Sequence, residues 1–264
     1  MNKKNVLGIV LCVCLVLIGA ATLLVTQVFC RQYAPQPAAT PSPLPAATPT
    51  PMPTPVPTPT PTPTPVPTPT PEPYLPPREL EIARDINPHV IGWLEIPDTE
   101  IRYPILRHPT MDNHYLNITI DGQTGYPGSI YTNTMEGEDF DTLNTVIYGH
   151  NMADGSYFGS LKRYNDADFL AAHREIDIYT PTRLHRYDVI AVVCYDDRYI
   201  TERYDDTKEA DRVAFLKSLQ EFGAEIPADA EVRIDGHIIT LSTCIGGMPN
   251  NRLLIVASER SGEE

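Results

Sequence analysis

The strongest constraint on how this chain can fold is a tract that cannot fold at all. Residues 34–77 hold 20 of the chain's 28 prolines, mostly in alternating Thr-Pro steps. Such a segment lacks both the apolar bulk and the backbone donors that a packed core needs. It favours extended polyproline II geometry, rising about 3.1 Å per residue, so its full reach is on the order of 130 Å. The tract reads as a stalk, and any folded domain must be built from residues 78–264. That remainder has the size of one ordinary domain.

What precedes the tract points to a membrane. Lys3 and Lys4 lie in residues 1–5, and from Val6 to Phe29 no charged residue occurs in a Leu/Val/Ile/Ala-rich stretch. This run exceeds the roughly 20 residues that span a bilayer as a helix. A cleaved signal peptide competes with a retained anchor, since Ala20 and Ala21 supply small residues, but its apolar core is usually about 7–15 residues. The lysines before the run favour a cytoplasmic N-terminus. The expected order is therefore a cytoplasmic end (1–5), a transmembrane signal-anchor (6–29), an extracellular stalk (30–77) and an exported domain (78–264). Without Lys3, Lys4, Arg31 and Glu72, the domain has 17 basic and 33 acidic side chains, a net charge of −16. That field repels phosphate-rich partners and argues against nucleic-acid binding.

Chemistry concentrates in three places. Residues 237–243 read His-Ile-Ile-Thr-Leu-Ser-Thr, a β-branched run without Gly or Pro that predicts a strand ending at Cys244. Arg252 opens a second such run, Arg-Leu-Leu-Ile-Val-Ala-Ser, and the seven residues between are rich in turn formers. An antiparallel hairpin would bring Cys244 and Arg252 together at one end of a sheet. A cation beside a thiol favours the thiolate, the nucleophilic form. The third place is His150, which follows the short apolar strand Thr145-Val146-Ile147-Tyr148. An imidazole there could serve as the acid/base that acyl transfer to a thiol requires. Taken singly, each has a bland reading: a buried structural thiol, a bystander histidine and a surface charge. Ser242, two positions before Cys244, shares its strand face and is expected to touch substrate.

These residues resemble a known family. Thr240-Leu241-Ser242-Thr243-Cys244 with a downstream Arg, and Tyr148-Gly149-His150-Asn151-Met152 followed by Asp154-Gly155-Ser156-Tyr157-Phe158-Gly159, closely resemble the sortases, class B in particular. Gly92-Trp93-Leu94-Glu95-Ile96-Pro97 and Ile101-Arg102-Tyr103-Pro104-Ile105 look like that family's opening strands, so the resemblance covers about residues 79–260. It implies a membrane-anchored cysteine transpeptidase. Cys244 would be the nucleophile, His150 the general acid/base and Arg252 the oxyanion stabiliser, with no cofactor and no metal. Its partners would be secreted proteins bearing a sorting motif and an amine acceptor of the cell envelope, either a wall peptide or a pilin lysine. One departure is Gly246, where some class B members carry an acidic residue, so no carboxylate is assigned there to orient His150.

Two other readings stay open. A secreted cysteine peptidase of the wall-hydrolase kind usually has Cys before His, whereas His150 precedes Cys244. A non-catalytic wall-binding module gives no reason for Cys, His and Arg at strand ends.

The domain is expected to be mainly β, a closed or nearly closed barrel with peripheral helices. One helix is expected in the lead-in near residues 77–85, and another at 208–222 within the 195–231 insertion, with Val213, Leu216, Leu219 and Phe222 on its apolar face. A helical period is also read over 160–174. Residues 187–195 alternate apolar on both faces, which predicts a buried strand with Cys194 in the core.

Overall fold

The structure is a computed structural model that describes residues 74–205, 207–224 and 236–260. The expected anchor at 6–29 and nearly all of the stalk lie outside the described residues. Among the described residues, no helix is long and apolar enough to cross a membrane.

Eight strands form the frame: β1 (Val90–Glu95), β2 (Arg102–Arg107), β3 (Ile130–Thr132), β4 (Asn144–Tyr148), β5 (Glu175–Tyr179), β6 (Leu184–Asp196), β7 (Ile238–Ile245) and β8 (Met248–Glu259). They close into a barrel in the order β1-β2-β3-β4-β7-β8-β6-β5. The antiparallel pairing of β1 with β5, Trp93 opposite Tyr179 through Glu95 opposite Asp177, seals the ring. Two pairs are parallel, β2 with β3 and β4 with β7. Closure gives each of the eight described strands a partner on both sides. The expectation of a β-barrel with peripheral helices is borne out.

All eight strands contribute to one apolar cluster, which is the barrel interior. Leu94, Ile105, Ile130, Ile147, Ile178, Val192, Leu241 and Ile255 are among its members. Cys194 belongs to it as well and is 4% exposed. The other faces of β4, β6, β7 and β8 are apolar too, because a second layer covers them. Val146, Ile190, Val193, Leu254 and Val256 pack beneath Phe215 and Leu219. These last two belong to α4 (Glu209–Glu221), which follows the short α3 (Ile200–Arg203) in the connection from β6 to β7. Burying each such side chain contributes about 1.5–3 kcal/mol. Arg212 of α4 is buried and donates from Nη1 to the carbonyl of Gly236, just before β7. At the other end, α1 (Arg78–Ile86) sets Leu80 and Ala83 against Val90, Leu106 and Tyr115. Pro77 stands one residue outside that helix as its N-cap. Tyr74, near the end of the Pro-rich tract, donates its hydroxyl to the Thr180 carbonyl at 2.8 Å.

Three local expectations need correction. The helical period at 160–174 resolves into a 3-10 helix (Gly159–Asn165) and α2 (Ala167–Ala172). Asp166 separates them because its side chain accepts the Phe169 N–H and caps the second. In α4 the buried face runs through Arg212, Phe215, Ser218 and Leu219, while Val213 is 44% exposed. The apolar spacing of three places Val213 on the wrong side, because a true helical face drifts at 3.6 residues per turn. The connection from β7 to β8 is also tighter than seven residues. Ile245 pairs with Met248 across a Gly246-Gly247 turn, and Pro249, Asn250 and Asn251 are accommodated as a bulge before Cys244 pairs with Arg252. Gly-Gly supplies a two-residue hairpin turn, and Pro249, with no N–H to give, suits a bulge.

Candidate active site

Strand alternation determines where the thiol goes. Leu241 and Ile245 of β7 point into the barrel, so Ser242 and Cys244 fall on the outer face. Cys244, at the rim, is an exposed free thiol. Arg252 is its direct cross-strand partner in β8. Nη1 of Arg252 donates to the carbonyls of Pro249 and Asn251, each at 3.0 Å. The bulge therefore holds the guanidinium at the rim while Nε and Nη2 have no partner among the described residues. Ser242 is only 5% exposed and sits one step below the thiol on the same face.

β4 brings in the imidazole. It runs parallel to β7 with Tyr148 level with Ser242, so two residues further His150 comes level with Cys244. Three hydrogen bonds extend this register past the end of β4. Gly149 N–H donates to the Ser242 carbonyl at 3.2 Å, Thr243 Oγ1 donates to the Gly149 carbonyl at 2.8 Å, and Asn151 Nδ2 donates to the Cys244 carbonyl at 2.8 Å. Nε2 of His150 lies 2.9 Å from the Leu116 carbonyl. A carbonyl can only accept, so Nε2 is the protonated nitrogen and Nδ1 is left to exchange protons. The Leu116 carbonyl thus orients the ring where Gly246 offers no carboxylate.

The four residues picked out by sequence, Cys244, His150, Arg252 and Ser242, line one cavity of about 250 Å³. Several further lining residues carry no sequence signal of their own. Asn113 and Leu116 come from the β2–β3 connection, and Asp197, Arg198 and Tyr199 from the segment after β6. The buried Tyr131 is stacked on Tyr148 at 5.4 Å and donates its hydroxyl to Asn113 Oδ1 at 2.9 Å. Burial, helped by the neighbouring Tyr199 and Cys244, pushes the Tyr131 phenol well up, so it acts only as a neutral donor. Arg198 is neutralised by Asp196, with Nε to Oδ2 at 2.6 Å, and this pairing raises its pKa. Its guanidinium lies 5.4 Å from the Tyr195 ring centroid and 5.5 Å from that of Phe222, which ties the 196–199 wall to the end of α4. A thiol, an imidazole and a guanidinium with unused donors, gathered at the mouth of one cleft, are the parts needed for acyl transfer through a thioester.

An eight-stranded barrel carrying this cysteine, histidine and arginine at one rim defines a class of cysteine acyl transferase, and comparison with known proteins identifies it. Residues 94–260 match the family profile described as a sortase domain. Sortase B of Listeria monocytogenes is 35% identical over 170 residues, which cover 63% of this chain and 67% of the relative. Sortase B of Staphylococcus aureus is 29% identical over 171 residues. Among solved structures, sortase B from B. anthracis in complex with AAEK1 superimposes with a TM-score of 0.61 at 30% identity, covering 72% of this chain and 88% of that one. Sortase B from Listeria monocytogenes gives 0.57 at 30% identity, with 69% and 99% covered. The chain belongs to the sortase family and is similar to its class B members. Sortases are cysteine transpeptidases, associated with the envelope of Gram-positive bacteria, that join proteins bearing a sorting motif to cell-wall amines.

Proposed function

We propose that this sortase works through Cys244, His150 and Arg252 and acts from a membrane anchor. The thiolate of Cys244 attacks the carbonyl carbon at the scissile bond of a C-terminal sorting motif. The oxyanion that forms is held by the unused donors of Arg252. The intermediate collapses, the C–N bond breaks, and the departing amine takes a proton from His150, leaving a thioester on Cys244. An acceptor amine then attacks the thioester and gives a proton back to His150, and the thiolate leaves. Ser242, beneath the thiol, contacts the bound peptide. Residues 6–29 anchor the chain with its N-terminus in the cytoplasm, residues 30–77 form the stalk, and residues 78–264 are the catalytic domain outside. The acceptor is a wall peptide; a pilin lysine would meet the same thioester by the same chemistry.

The observation that carries this reading is the shared register of Cys244 with Arg252 on one side and with the His150 segment on the other. A peptide-library cleavage assay tests it. The chain should cut a restricted set of sequences, and Cys244→Ala should abolish cleavage. Cleavage surviving Cys244→Ala would remove the thiol from the mechanism.

A further inference from the structure

Resting on that reading of His150, we propose that Tyr126 is a positioning residue whose ring holds the His150 imidazole in its working orientation. The two ring centroids lie 4.6 Å apart at an angle of 57°. Tyr126 is 64% exposed and belongs to none of the apolar clusters, so burial does not account for an aromatic side chain there. Its hydroxyl has no hydrogen-bond partner among the described residues, and His150 is its one ring partner among them.

Tyr126 and the Leu116 carbonyl come from the same connection between β2 and β3, and that connection is internally braced. Gly125 N–H donates to the Asn117 carbonyl at 2.8 Å, Ser129 N–H to the Tyr115 carbonyl at 3.0 Å, and Ser129 Oγ to the Ile118 carbonyl at 2.9 Å. The stretches carrying Tyr126 and Leu116 therefore move together, and the imidazole is gripped at Nε2 by one and across its ring by the other. The two contacts constrain different things. The carbonyl fixes which nitrogen carries the first proton. The aromatic ring packs against the imidazole and restricts its rotation. Tyr126 thus helps keep the ring in the orientation from which the leaving amine is protonated.

The test measures single-turnover acylation of Cys244 and steady-state cleavage in the full chain, using a peptide selected from the library. The variants are Tyr126→Ala, Tyr126→Phe and His150→Ala. Tyr126→Ala should lower kcat and the acylation rate about tenfold, as misplacement of a catalytic group does, with KM essentially unchanged. Tyr126→Phe should restore both to within about twofold, because only the ring is used. An unimpaired Tyr126→Ala, a Phe variant as impaired as Ala, or a raised KM with intact kcat would each overturn the proposal, the last by making Tyr126 a substrate contact. If His150→Ala itself acylates normally, the acid/base reading of His150 fails, and that outcome is distinct from a failure confined to Tyr126.

Discussion

Replacing Gly128 with alanine should injure stability and catalysis together. Gly128 has φ +68, and a Cβ built there would lie 2.3 Å from the Leu116 carbonyl oxygen, 2.6 Å from its carbon and 2.6 Å from the Tyr115 oxygen. All three are backbone atoms, so no side-chain rotation relieves the contact, and the two stretches must part by about 1 Å to reach ordinary van der Waals distances. The left-handed conformation costs alanine about 1–2 kcal/mol, and the steric overlap about 1–3 kcal/mol more. The sum, about 2–5 kcal/mol, is a large share of the roughly 5–15 kcal/mol that keeps a domain folded. The atom displaced most is the Leu116 oxygen that accepts from His150 Nε2, so the surviving folded fraction should also acylate poorly. Gly155→Ala is the control, with φ +87 but no heavy atom within 4 Å of the added carbon. It should lose only the conformational term, about 1–2 kcal/mol, and keep acylation. Urea unfolding and single-turnover acylation read the two effects. If Gly128→Ala were as mild as Gly155→Ala and acylated normally, the claim that Gly128 seats the Leu116 carbonyl would be wrong.

Arg252→Lys keeps the charge but loses the planar fork, so turnover should drop by about 10²–10³-fold with KM nearly unchanged in steady-state assays; a raised KM with intact turnover would make Arg252 a binding residue. Burial, reinforced by Glu175, pushes the Asp177 carboxyl up to about 6 from its ordinary 3.8, and Arg186 offsets this only in part. The unfolded chain therefore ionises first, and stability falls as pH rises through that interval. Asp177→Asn should raise stability near pH 7 by about 1–3 kcal/mol and flatten urea-unfolding stability between about pH 4 and 6; an unchanged pH slope would count against the assignment. Phe215→Ala should cost about 3–5 kcal/mol and Val213→Ala less than about 0.5 kcal/mol by thermal or urea unfolding, because only the former is buried. Equal losses would restore the helical face read from sequence spacing.

The strands and the candidate site residues are legible because each is encoded locally. β-branched runs mark β7 and β8, and the segment leading to His150 is apolar and bounded by Gly149. Their hairpin geometry followed, although Pro249, Asn250 and Asn251 read as loop when they form a bulge beside a two-residue turn. The parallel pairing of β4 with β7 left no local trace. Nothing in residues 144–151 indicates that Tyr148 will lie beside Ser242, ninety-four positions away, yet that pairing brings His150 level with Cys244. Leu116 and Tyr126 were invisible for the same reason: a backbone carbonyl has no sequence signature, and an exposed tyrosine acquires its role only from what the fold sets against it. In α4, Phe215 escapes a pattern of apolar residues spaced by three, because the helix turns every 3.6 residues.

The most direct test of the central claim is intact-protein mass spectrometry of the chain mixed with a cleavable peptide, with and without an added amine. A thioester adduct should appear on Cys244, persist in water, and be discharged faster by the amine to give the transpeptidation product. An adduct on another residue, or cleavage with no adduct and no amine dependence, would contradict a cysteine transpeptidase built on Cys244.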